Sequence, residues 1–159
     1  MKTEKEPLVF IVEDNEAYAE MIRYYVESNG YETRVFHTGG DCLSNMSQKP
    51  DILILDFMLG KMNGLEVLKL VKELDQNVKV IFLSAQDDIQ VGIDSLKQGA
   101  YDYVMKDDFA FGNVIVGLNR ICKARAAESR TKTYAVRLKR SFWGVLLGLL
   151  SVVLFNYIT

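Results

Sequence analysis

The chain has 159 residues, 49% hydrophobic and 25% charged, which fits one folded domain with an appendage and excludes both a second full-sized domain and general disorder. Its two cysteines, Cys42 and Cys122, are too few for a disulfide framework or an all-cysteine metal site and fit a reducing compartment. The formal charge of −2 hides a division: residues 1–119 carry 11 Lys/Arg against 20 Asp/Glu, net −9, and residues 120–159 carry 8 against 1, net +7. Residues 1–6 are polar and the apolar run after them is short, so no secretory signal is expected.

Residues 8–12 form an apolar run that predicts a first strand, followed by a helix capped by Asp14 or Asn15 and ending at Gly30. Residues 31–36 alternate weakly as a second strand. Thr38-Gly39-Gly40 predicts a turn, and a short helix over 41–46 ends before Pro50. Ile52-Leu53-Ile54-Leu55 is apolar without alternation, as suits a central parallel strand covered on both faces, and it stops at Asp56. A loop bracketed by Gly60 and Gly64 leads into a helix with the periodicity of residues 65–71. Residues 78–83 predict a fourth strand. A helix capped by Asp87 or Asp88 and ending near Gly99, a fifth strand over 101–104 and a last helix from near Asp108 complete the pattern. Strands alternating with helices predict an open, doubly wound α/β sheet with its ligand site at the carboxyl ends of the strands.

The residues able to do chemistry fall on that edge. Glu13 and Asp14 follow the first strand, Asp56 the third, Ser84 the fourth and Lys106 the fifth. Three carboxylates gathered together repel one another unless a cation or hydrogen bonds compensate, and an all-oxygen set suits Mg²⁺. Lys106 adds a mobile positive charge and Ser84 a neutral donor. This set suits phosphoryl transfer to a carboxylate, with Asp56 attacking in line. Taken singly, each residue has a plainer reading as a helix cap, a turn cap or a solvated charge. Their convergence on one sheet edge favours the chemistry.

With these residues in place, the chain over 7–125 resembles the receiver domain of bacterial two-component response regulators. Glu13-Asp14 matches the family's metal-holding acidic pair, Asp56 in Ile-Leu-Ile-Leu-Asp-Phe-Met-Leu-Gly-Lys-Met-Asn-Gly matches the phosphoacceptor, and Lys106 matches the family lysine. Ser84 in Val-Ile-Phe-Leu-Ser-Ala matches the Thr/Ser that engages the phosphoryl group, and Tyr103 matches the aromatic switch. The resemblance implies a five-stranded parallel flavodoxin-like sheet of order 2-1-3-4-5 flanked by five helices. It also implies that the backbone carbonyl of Met58 joins Glu13, Asp14 and Asp56 around Mg²⁺. Two departures stand out: Gly60 replaces a usual proline, and Asp107 stands where a proline normally follows the lysine in a cis peptide. His37, the sole histidine, reads as a surface residue away from the site.

The chain thus divides into a polar N-terminus (1–6), a receiver domain (7–125), a basic juxtamembrane linker (126–140) and a C-terminal helical hydrophobic tail (141–159). The tail carries no charge, follows a run of Lys and Arg, and as a helix would reach about 28 Å, which predicts a membrane-spanning anchor with the receiver on the cytoplasmic side of the inner membrane. The basic run reads as a contact to membrane lipid rather than nucleic acid, having no aromatic interleaving or binding module. Gly144 and Gly148 have the spacing of a helix-pairing motif, which allows a homodimer.

The expected function is a phosphorelay receiver that takes a phosphoryl group from a histidine kinase or histidine phosphotransfer protein onto Asp56 with Mg²⁺ and signals by contact with a downstream protein. No independent enzyme is expected, only Mg²⁺-dependent self-phosphorylation and autodephosphorylation. The residues after the receiver are too few for a DNA-binding output domain. The alternative is a phosphorylation-independent, membrane-tethered adaptor with a receiver fold.

Overall fold

The computed structural model describes the backbone of residues 6–85 and 89–158, with side chains up to residue 131 and at Tyr134, Leu138 and Trp143. The chain divides into two compact units, Met1–Ile121 and Cys122–Thr159. The first holds strands β1 (Leu8–Val12), β2 (Glu32–Phe36), β3 (Ile52–Asp56), β4 (Lys79–Ser84) and β5 (Asp102–Met105). Its helices are α1 (Glu16–Ser28), α2 (Gly39–Ser44), α3 (Gly64–Leu74), α4 (Ile89–Lys97) and the start of α5, whose full span is Ala110–Ile158. All strand pairs are parallel, in the order β2-β1-β3-β4-β5.

That order places the change of direction between β1 and β3, where successive connections leave toward opposite sides and open a crevice at the carboxyl ends. Both sheet faces are covered. Phe10, Val12, Leu53, Leu55, Val80 and Phe82 form one core with Cys42 of α2 and Val67, Leu68 and Val71 of α3. The alternate residues of the strands point the other way. On that side Ile81 Cδ1 lies 3.0 Å from where a Cβ on Gly117 would sit, so α5 packs closely there. Burial on both faces explains why β1 and β3 read as unbroken apolar runs.

Local chemistry sets the helix starts. Asn15 caps α1 by accepting from the Tyr18 N–H, and Ala19, Ile22 and Val26 form its buried stripe. Asn63 and Glu66 form a reciprocal capping box at α3. The predicted turn at Thr38-Gly39-Gly40 is instead the beginning of α2, because the Thr38 hydroxyl accepts from the Asp41 N–H at 3.1 Å and captures both glycines into the helix. Residues Met46–Gln48 then tighten into a 3₁₀ turn. The proposed caps Asp87 and Asp88 lie outside the described residues.

The C-terminal expectation is corrected. There is no separate hydrophobic tail after a linker: α5 runs as one helix of 49 residues, Ala110–Ile158. Among the described residues no helix is long and apolar enough to cross a membrane, so the expected transmembrane segment and inner-membrane anchoring are not found. On the part of the helix whose side chains are described, Lys123, Arg125, Glu128 and Arg130 are all exposed, so no uncharged stretch long enough to span forms there. Of the side chains in 141–159, only that of Trp143 is within the described residues.

Candidate phosphoacceptor site

The carboxyl edge of the sheet brings together residues far apart in sequence. Glu13 leaves β1, Asp56 is the last residue of β3, Ser84 the last of β4, and Lys106 follows β5. Register does this: Asp56 pairs with Leu83, and Ser84 with Met105, so neighbouring strands end level with one another. Glu13, Asp56 and Ser84 are buried, while Asp14 is exposed. Glu13, Asp14 and Asp56 each place a carboxylate oxygen within 4.8 Å of the others.

Lys106 bridges the buried pair. Its Nζ lies 2.7 Å from Glu13 Oε2 and 2.8 Å from Asp56 Oδ1. Burial pushes the Glu13 and Asp56 carboxyls above their ordinary values, and the Lys106 hydrogen bonds only partly offset this. Burial pulls the Lys106 amine down, but its bonds to Asp56 and Glu13 outweigh that and leave it raised. The site therefore concentrates negative charge that one lysine does not fully neutralise. Its donors are all oxygen, the chemistry a hard divalent cation requires. Oxygens about 2.1 Å from one Mg²⁺ are at most about 4.2 Å apart, so small side-chain rotations would bring these three onto one ion.

The backbone frames the cluster. The Glu13 N–H donates to the Phe36 carbonyl at 3.0 Å, Phe57 N–H to Leu83 O at 3.0 Å, and Lys106 N–H to Ser84 O at 2.8 Å. A Cβ on Gly64 would come within 2.3 Å of the Asp56 carbonyl oxygen, so only glycine lets α3 start this close to the end of β3. Gly60 has φ +72°, a conformation closed to proline, whose ring fixes φ near −65°. The Lys106–Asp107 peptide is trans, there being no cis bond among the described residues. Asp107 instead prepares α5: its carboxylate accepts from the Phe109 N–H at 2.9 Å and its carbonyl from the Ala110 N–H at 3.1 Å.

The remaining candidates take distinct places. Tyr103 is half-buried, with its ring against Gly92 of α4, where a Cβ would meet it at 3.0 Å. The Met58 side chain is exposed. His37, read from the sequence as remote, touches the site's frame: its Nδ1 lies 2.9 Å from the Glu13 carbonyl oxygen and must donate to it, a carbonyl being only an acceptor. Tyr18 was also missed, although its ring lies 4.7 Å from Lys106 Nζ. A tyrosine one turn into a helix gives no sequence signal for such a contact.

A family model described as response regulator receiver domain matches residues 9–112. Response regulator MprA of Mycobacterium bovis is 28% identical over 130 residues, covering 81% of this chain and 56% of that protein. The transcriptional regulatory protein TrcR of Mycobacterium tuberculosis is 28% identical over 130 residues, covering 81% of this chain and 50% of that protein. The chain thus spans about half the length of the curated relatives it matches. The solved Francisella response regulator 1452 receiver domain is 30% identical, covers 76% of this chain and 99% of its own, and superposes with a TM-score of 0.68. With sheet order, acidic edge and family match in agreement, the chain belongs to the response regulator receiver domain family.

Proposed function

We propose that residues 7–125 act as a phosphoacceptor receiver, with 126–140 as a basic linker. The observation carrying this reading is Asp56, buried at the edge beside Glu13 and Asp14, with Lys106 Nζ at 2.8 Å. Asp56 Oδ attacks the phosphorus of a phosphohistidine on a histidine kinase or phosphotransfer protein. The P–O bond forms as the P–N bond breaks, and the imidazole leaves carrying the electron pair and takes up a proton. Water later cleaves the acyl phosphate, restoring the carboxylate and releasing inorganic phosphate.

Glu13, Asp14, Asp56 and the Met58 carbonyl would hold Mg²⁺, which when bound neutralises charge developing on the phosphoryl oxygens. Lys106 exchanges its contact with Asp56 for a phosphoryl oxygen, and Ser84 donates its hydroxyl to another. Tyr103 follows Ser84 inward and reshapes the surface around α4, β5 and α5, which a downstream protein reads. Beyond phosphoryl uptake and loss at Asp56, no separate enzymatic activity is assigned.

Intact-mass measurement of the full chain with acetyl phosphate, with and without Mg²⁺, tests this. One added phosphoryl group that requires both Mg²⁺ and Asp56, and is absent in Asp56→Ala, is the expected result. A folded protein that gains no adduct, even from histidine kinases, would favour the rival reading of a phosphorylation-independent adaptor, for which Gly60 and Asp107 are the motivating departures.

A further inference from the structure

Lys106 has a third neighbour besides its two carboxylates. Its ammonium carries three N–H donors, of which Glu13 and Asp56 account for two, and the Tyr18 ring lies beside it at 4.7 Å. That distance is within the range of a cation–π contact. Tyr18 is held both through its backbone and through its ring. Its backbone N–H donates to the Asn15 cap at 3.0 Å, and its ring lies beside Phe111 of α5, with centroids 5.3 Å apart and planes tilted by 36°. Phe111 in turn stacks on Tyr25 of α1 at 4.8 Å with planes 4° apart. Three aromatic rings from two helices therefore back a single lysine.

From this geometry we infer that Tyr18 is a positioning residue for phosphoryl transfer: its ring holds the Lys106 ammonium over the carboxylate edge and keeps the flexible stem from swinging into water. The inference rests on the receiver reading above. A lysine side chain has several rotatable bonds, and a receiver needs its ammonium at one place when the phosphoryl group arrives. Asp56 ceases to be a plain carboxylate in the reaction, which leaves Glu13 as the one carboxylate still holding the ammonium. The ring face is likewise unaltered by the reaction and gives the ammonium a second constant partner beside Glu13.

The test uses Tyr18→Phe, which keeps the ring, and Tyr18→Leu, which keeps apolar bulk without it. Lys106 ε-methylene resonances in the full chain report the contact directly, without phosphorylation. They are expected upfield, from the ring current, in the parent and Tyr18→Phe, and at ordinary positions in Tyr18→Leu. Phosphorylation by acetyl phosphate is expected to slow about ten-fold in Tyr18→Leu and to stay within about two-fold in Tyr18→Phe. Mg²⁺ affinity by calorimetry is expected to stay unchanged in both. Should Tyr18→Leu fold poorly, Phe111→Leu, which only loosens the backing ring, is expected to shift the same resonances part way. Unmoved Lys106 resonances, or a Tyr18→Phe variant as slow as Tyr18→Leu, would overturn the inference. A parent chain that takes no phosphoryl group would instead overturn the receiver reading, while the resonances still decide the contact.

Discussion

The interior of the sheet and its carboxyl edge meet within the five residues of β3. Ile52, Leu53, Ile54 and Leu55 are fully buried among apolar neighbours, and Asp56, next in line, is almost as buried at 2% exposure. Apolar burial on one side of that boundary is the main stabilising contribution to the fold. On the other side two buried carboxylates and a lysine hold one another in place against the cost of leaving water. Stability and reactivity therefore occupy adjacent positions on one strand, and the edge is tolerated because the interior supports it.

Substitutions on either side should separate the two. Phe82→Ala, in the interior, is expected to cost about 3–5 kcal/mol in urea unfolding, from lost burial and the cavity left behind. Lys106→Met leaves Glu13 and Asp56 buried without their cation and, discounted for the lysine's partial exposure, should cost roughly 2–3 kcal/mol in divalent-free buffer. Added Mg²⁺ should recover part of that loss in a thermal melt. A Lys106→Met protein as stable as the parent would show that the edge is not under electrostatic load.

A smaller effect of opposite sign is expected from Asp56→Asn. Burial raises the Asp56 carboxyl in the folded state, with Lys106 offsetting only part. Stability is then fully present below the unfolded value of about 3.9 and is lost as pH rises through the raised folded value. Asp56→Asn should thus be more stable than the parent at pH 7 in EDTA, with the gain disappearing near pH 4. Smallest is Asn63→Ala, which removes the capping side chain of α3 and should cost about 1 kcal/mol while leaving the phosphorylation rate unchanged.

Much of this boundary was legible in the sequence because strands covered on both faces must be apolar, and the residues that end them stand out by contrast. Asp56 and Ser84 were visible for that reason, and the sheet order followed from a resemblance rather than from periodicity. The start of α2 was not legible, since two glycines after a threonine suit a turn as well as a capped helix, and only the Thr38 hydrogen bond decides. The uncharged segment 141–159 invited an anchor reading because an apolar run after basic residues is the usual mark of a span, whereas no helix among the described residues is long and apolar enough to cross a membrane. Tyr18 and His37 were missed because their roles arise from contacts between elements, Tyr18 with the residue after β5 and His37 with the backbone leaving β1.

The bond between Glu13 and Lys106 closes a loop of 93 residues. Between them lie four of the five strands, each joined to its parallel neighbour through a crossover, a topology whose distant pairings make folding slow. A refolding chain should regain helical circular dichroism before it regains the ability to accept a phosphoryl group, since Lys106 reaches the acidic pair only after β5 has joined β4. A nascent or partly unfolded chain would then be chemically silent, and the phosphorylated fraction of a sample would count only molecules that have completed their sheet.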